Sequence, residues 1–317
     1  MKRKGFTLVE LLVVIAIIAL LMGILMPALA RVRQLAFRMT CGTNLSGIGK
    51  AMLIYANDYE DELPRAGGRE SKWGAPKDWA AANRNAAYGV TPGTGAGGAA
   101  TISSCFYLLV KYAEVTPKSF VCKGDAGTTE FKLADVPASD LPANAELIDL
   151  WDFGKTTPNA AKACSYSYHV PFGKYALTTS GEPGFAVAAD RNPWIESPGA
   201  KARAFPGAGN DKFVPDIPGY NGSNDQARNG NAITHQNEGQ NVLFLDSHVQ
   251  FEKRPYCSVE DDNIYTVSDR AGQGSAFGTG LPSMASVPLV RKDSLLLHDD
   301  SSGSTSGGAA KPAGRSK

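Results

Sequence analysis

The sequence predicts an α+β protein in which one long N-terminal helix precedes a loop-rich head built around a small antiparallel sheet. Three observations carry this. Residues 6–62 hold apolar positions at helical spacing, opening with a run long enough to cross a bilayer. Three later segments, 164–170, 185–190 and 241–251, alternate or run apolar in the manner of short strands. The 34 glycines and 19 prolines among 317 residues leave long stretches with no apolar period, which read as loops.

The helix comes first. Lys2, Arg3 and Lys4 lead to Gly5, and from Phe6 to Met26 the only charge is Glu10. A carboxylate within hydrocarbon costs about 2.5–3.5 kcal/mol on insertion scales. The fourteen Leu, Ile, Val and Phe residues between Phe6 and Met26 each return about 0.3–0.6 kcal/mol. The segment therefore inserts despite Glu10, and Glu10 calls for a partner. Beyond Pro27 the period resumes with Leu29, Val32, Leu35, Ala36, Met39, Leu45, Ile48, Met52, Tyr55 and Tyr59, so the proline bends the helix rather than ending it. Gly42, Gly47 and Gly49 predict a break or kink near 41–47. The acidic run 57–62 followed by Pro64 closes the element.

Residues 65–104 read as a long surface excursion. Trp73 and Trp79 within it read as hydrophobic pins, with a carbohydrate platform as the alternative. A short helix is expected over Cys105–Tyr112, strands over 164–170 and 185–190, and a hairpin in which Asn241–Leu245 turns through Asp246-Ser247 into His248–Phe251. Residues 63–297 form the head. From His298 to Lys317 the composition predicts a disordered tail. A formal net charge of +1 and the lack of a basic stripe after the leader leave no electrostatic footprint for nucleic acid.

The stretch Lys4-Gly5-Phe6-Thr7-Leu8-Val9-Glu10 closely resembles the processing motif of type IV prepilins. The resemblance implies a leader over 1–5, cleavage between Gly5 and Phe6 by a prepilin peptidase, and N-methylation of Phe6. It further implies a membrane helix over 6–26, a kink at Pro27, and pairing of Glu10 with the Phe6 ammonium of a neighbouring subunit. The long helix would pack on the sheet. The chain would be a structural subunit, not an enzyme, of a type IV pilus or type II secretion pseudopilus. It would sit as a single-pass inner-membrane protein with a periplasmic head, alongside other pilin or pseudopilin subunits. The rival reading is a membrane-anchored extracytoplasmic protein that binds glycan or calcium. A plain anchor and a signal peptide cut after Ala28-Leu29-Ala30 are the other readings of the segment.

Within the head, His235 and Asn241–Val249 resemble the pseudopilin-like group marked by His, nine residues, then Asp-Gly. Phe120–Asp125, Ser165–Tyr168 and Ala189-Asp190-Arg191 share in that resemblance. Two departures stand out: ten residues separate His235 from Asp246, and Ser247 replaces the glycine. His235, Asp246 and His248 form a candidate zinc set, for a weaker hydrolase reading, but match no strong zinc spacing. Their simpler role is capping and backbone bonding around the hairpin. The resemblance also raises a calcium site, since major secretion pseudopilins typically bind calcium in a loop near the C-terminus; the oxygen-rich segment 221–231 offers Asp225, with Asp190 or Asp246 to complete a shell. A solvated loop is the competing account. Five cysteines cannot all pair within one chain. In an exported head Cys122 and Cys164 are the expected pair, with Cys105–Cys122 as a rival and Cys41 as a packing residue of the helix.

Overall fold

The computed structural model describes residues 7–175, 177–203, 228–267 and 281–302. Gly5, Phe6, Asp225 and residues 303–317 lie outside that set.

Helix α1 spans Leu8–Asp58 and includes Pro27. It opens on a reciprocal cap, in which the Thr7 hydroxyl accepts from the Glu10 amide at 3.3 Å and a Glu10 carboxylate oxygen accepts from the Thr7 amide at 2.9 Å. The expected break near 41–47 does not occur: α1 continues through Gly42, Gly47 and Gly49. Packing outweighs the glycine penalty there, since Cys41, Leu45, Ile48, Met52 and Tyr55 form one buried face. The helix stops at Asp58, four residues before the predicted end. Glu60 and Asp61 turn left-handed (φ 53° and 61°), and the Asp61 amide returns to the Ala56 carbonyl at 3.0 Å.

The head sheet comprises β3 (Tyr166–His169), β4 (Ala186–Asp190), β5 (Gln240–Phe244), β6 (Val249–Glu252) and β7 (Leu296–Leu297), with β1 (Lys72–Trp73) and β2 (Ala99–Ala100) forming a separate short parallel pair. Its order is β6-β5-β4-β3-β7, and every neighbouring pair is antiparallel. With α1 across it, this is an α+β architecture of pilin-like form. The central strands β3, β4 and β5 are buried throughout. Leu243 meets α1 at Gly49, while Val242 and Phe244 face a second apolar layer with Trp194, Tyr256, Ile264 and Tyr265. A register shift between Ala186 and Ala188 lets β4 serve both layers.

The hairpin differs from expectation at its tip. The Leu245 amide donates to Phe185 rather than across the hairpin, so four residues separate β5 from β6 and Ser247 takes a positive φ of 70°. Helix α2 (Arg84–Tyr88) lies within 65–104, which is not a surface excursion: Trp79, Ala87, Tyr88 and Val90 are buried. Both tryptophans act as pins. Trp79 Nε1 donates to the Asp140 carbonyl at 3.2 Å and Trp73 Nε1 to Asp299 at 2.7 Å.

The predicted tail also begins too early. His298, Asp299 and Asp300 are buried. Helix α3 (Ile102–Tyr112) starts three residues ahead of its predicted start, and Asp299 accepts from its first two amides, Ile102 at 2.9 Å and Ser103 at 2.7 Å. Unpaired amides at a helix start carry positive potential, so a carboxylate arriving from the C-terminal end of the chain is held there. The remaining short helix, α4 (Thr157–Ala161), precedes β3.

Candidate functional site

Two parts of the molecule offer chemistry beyond folding. The first is the outer half of α1. Every residue from Leu8 to Arg33 is exposed, including Leu8, Val9, Leu11, Leu12, Ile15, Ile18, Leu25 and Leu29. Val32, Leu35 and Met39 extend the apolar surface. At about 1.5 Å per residue, the stretch 8–26 is roughly 28 Å long, close to the ~30 Å hydrocarbon core of a bilayer. α1 is the one helix among the described residues long and apolar enough to cross a membrane. Glu10 lies one turn from its start, and its carboxylate also accepts from the Thr7 hydroxyl at 2.8 Å. Pro27 falls at the far end of the membrane-length stretch.

The second part is a buried cluster where α1 enters the head. Cys41, on the inner face of α1, is bonded to Cys122 with their Cα atoms 5.3 Å apart. This replaces the expected Cys122–Cys164 bridge. The Pro117–Phe120 turn delivers Cys122 to the helix. Cys164 is turned away, its thiol donating to the Tyr166 carbonyl at 3.6 Å. Cys105 is likewise unpaired and buried. Burial pushes the Cys105 and Cys164 thiols up to about 12, so both stay protonated and inert.

His235 completes the surroundings of Cys122. Its Nε2 lies 4.0 Å from Cys122 Sγ, 3.2 Å from Asp190 Oδ2 and 3.2 Å from Asn241 Nδ2. Asp190 Oδ2 accepts from the Asn241 backbone amide at 2.7 Å and from Asn241 Nδ2 at 3.2 Å. Next to Asp190, the Arg191 guanidinium is buried 3.2 Å from Asp125 and donates to the Cys164 carbonyl. A cleft of about 470 Å³ opens beside His235, lined by Phe37 and Arg38 of α1 and by Lys123, Gly124 and Thr234 of the head. Arg38 lies 4.6 Å over the Phe251 ring and pairs with Glu238, tying the helix to the head's rim.

This geometry divides the predicted metal sets. Asp246 and His248 sit at the exposed hairpin tip and pair with each other, whereas His235 is buried beside Asn241 at the opposite end of β5. Five residues of strand separate those ends, roughly 16 Å at ~3.3 Å per residue. His235, Asp246 and His248 therefore cannot share one zinc ion. The same separation prevents Asp190 and Asp246 from sharing a calcium ion. Asp190 moreover keeps company with imidazole and sulfur, which do not suit a hard cation. Sequence reasoning missed Cys41 as a site residue. Its spacing to Leu45, Ile48 and Met52 marks it as core-facing, and only the approach of residue 122 gives it a partner.

A membrane-length exposed helix, opened by the reciprocal Thr7–Glu10 cap and ending against an antiparallel sheet, is an architecture of pilin-like form. Residues 1–26 match the family model described as the Prokaryotic N-terminal methylation motif. The N-terminal segment of the chain therefore carries a prepilin-type methylation motif, set at the start of a membrane-length apolar helix. No curated protein and no solved structure matches the chain.

Proposed function

We propose that this protein is a structural subunit of a type IV pilus-like filament or type II secretion pseudopilus. The single observation that carries the reading is the continuity of the matched N-terminal motif with an apolar helical surface that is exposed throughout Leu8–Arg33 and continued by the exposed Leu35 and Met39. Residues 8–26 match a bilayer in length, but Leu29, Val32, Leu35 and Met39 continue the apolar surface past it, among Arg31, Arg33 and Arg38. That extension suits packing against helices of neighbouring copies rather than lipid alone.

In this reading cleavage between Gly5 and Phe6 exposes a new amine, which is N-methylated. The amine of one subunit sits beside Glu10 of another, so that a carboxylate costly in lipid is neutralised in the filament core. Such pairs set register more dependably than they add stability. Lys2, Arg3 and Lys4 keep the leader cytoplasmic, placing the head across the inner membrane. The disulfide fits an oxidising compartment on that side. The head resembles the group with the His-x9-Asp-Gly pattern, and its shared motifs meet spatially through the His235–Asp190 and Arg191–Asp125 pairs.

The test is the mature N-terminus by mass spectrometry in cells with and without the peptidase, together with cross-linking between copies through a cysteine placed at Leu29. A processed, methylated chain starting at Phe6 that cross-links to its own kind is expected. A chain still starting at Met1, or one that is processed yet monomeric in the presence of the assembly machinery, would overturn the reading.

A further inference from the structure

We propose that Cys41, Cys122, His235 and Asp190 form a redox-gated zinc site: a disulfide when oxidised, and a four-ligand shell for one Zn²⁺ once that bond is reduced. The inference stands independently of the filament reading. One donor atom from each residue, two sulfurs, an imidazole nitrogen and a carboxylate oxygen, lies within 4.8 Å of all the others. Tetrahedral zinc holds sulfur at about 2.3 Å and nitrogen or oxygen at about 2.0–2.2 Å, which spaces the donors roughly 3.3–3.8 Å apart. Parting the two sulfurs and drawing in the remaining donors by about an ångström produces that shell. All four side chains are buried, and they come from α1, the turn after Phe120, the end of β4 and the segment before β5.

A second observation points to a ligand role for Asp190. Asp190 is fully buried, yet its Oδ1 has no hydrogen-bond partner among the described residues. A buried carboxylate oxygen without a donor is rare and calls for an explanation. The other oxygen is already oriented by two Asn241 donors, the kind of outer support that metal-binding carboxylates receive. The His235 ring is held by the Phe251 ring edge-on at 6.1 Å and by Gly124, where an added Cβ would come within 3.4 Å of ring atoms. The cleft beside His235 supplies an entry path from solvent. Two thiolates with an imidazole favour zinc over magnesium or calcium.

The chemistry balances with a dithiol as reductant. Two electrons and two protons pass from the dithiol to the cystine; the Cys41–Cys122 bond breaks, and the dithiol leaves as its own disulfide. Zn²⁺ then displaces the two thiol protons to solvent, and both sulfurs bind as thiolates. Either state fastens α1 to the head, so the junction stays closed whichever way the compartment is poised.

The experiment uses the full chain in detergent, either air-oxidised or reduced anaerobically by a phosphine that does not hold zinc. Zinc is titrated against a chromophoric chelator, and cobalt is substituted for its absorption spectrum. One zinc per reduced chain is expected, none per oxidised chain, and the cobalt form should show tetrahedral bands with thiolate charge transfer. His235→Ala and Asp190→Ala should each weaken zinc by more than the ~10–100-fold typical of supporting residues. His235→Cys, which restores a donor, should keep the metal, and Cys257→Ser should change nothing. Failure of the reduced unmutated chain to take up one zinc overturns the proposal without appeal to any variant. So does unchanged affinity in both alanine variants, or loss of zinc in His235→Cys as complete as in His235→Ala.

Discussion

The two halves of α1 share one backbone and have opposite surroundings. From Leu8 to Arg33 every residue is exposed, although most are apolar; from Cys41 to Ala56 an equally helical stretch buries one face against the sheet and the Pro117–Cys122 turn. The inner half buries one apolar stripe, while Thr43, Lys50, Leu53 and Ile54 on its other face stay exposed. The outer half is apolar on every face from Leu11 to Leu29, and no other described residue covers it. The difference teaches that the inner half is built for folding and the outer half for an environment the monomer does not supply.

Substitutions can break or sharpen that contrast. The largest effect is expected at the leader: replacing Gly5 with a bulky residue such as Leu should abolish processing, seen as a slower-migrating chain retaining Met1. Unaffected processing would detach the outer half from prepilin chemistry. Glu10→Ala should leave membrane insertion intact while sharply reducing filament formation, counted by shearing and immunoblotting. An equal yield of filaments would mean that this carboxylate does not set register.

At the inner half, the Cys41–Cys122 bond closes a sequence separation of 81 residues. Replacing both cysteines with alanine should lower the stability of the oxidised protein by about 2–5 kcal/mol, measured by denaturant unfolding. Two glycines then compare environments within the same helix. A Cβ at Gly49 would fall 2.6 Å from Leu243 Cδ1, a buried side chain, whereas one at Gly47 meets nothing within 4 Å. Gly49→Ala should therefore destabilise by about 1–3 kcal/mol from overpacking. Gly47→Ala should stabilise by up to about 1 kcal/mol from helix propensity. Equal effects would show that the inner face is less tightly packed than the geometry indicates.

A last difference is a pH dependence confined to the head. Burial, reinforced by the charge of Asp299, pushes the Asp152 carboxyl up to about 8; it accepts from Thr101 at 2.5 Å and Ser103 at 2.8 Å. The folded state then holds a proton that the unfolded chain releases near pH 4, so stability falls as pH rises toward 8. The slope is at most about 1.4 kcal/mol per pH unit. Burial drives His169 the other way, down to about 4, and also lowers His298. Those two stay neutral in the fold while the unfolded chain takes up protons below about pH 6.5, so stability also falls on acidification. Asp152→Asn should flatten the alkaline limb alone, as read from thermal unfolding between pH 6.5 and 8.

Local pattern accounts for what was legible. The membrane-length run, the resumption of helix after Pro27, the strands near 166–169 and 186–190 and the Asn241–Phe251 hairpin all follow from periodicity, and all are present. Where two remote segments meet, periodicity says nothing. The glycines near 41–47 look like a break until Leu45 and Ile48 are packed into the head. His298 and Asp299 look like the start of a tail until α3 presents its unpaired amides, although the apolar Leu295–Leu297 run leading into them hinted at order. The place of Glu10 in the first turn of α1 was legible because a charge within an apolar run is conspicuous. The Cys41 pairing was not, because the partner lies 81 residues away.

The amino-acid order alone therefore determined the long helix, its membrane-length apolar half and the lone carboxylate near its start, since each depends on neighbours within a few turns. Tertiary structure decided which cysteine meets Cys122, that Asp190 and His235 converge on that pair, and that Asp246 does not. Those outcomes depend on where β4, β5 and the Pro117–Phe120 turn come to rest against α1, and long-range packing sets that.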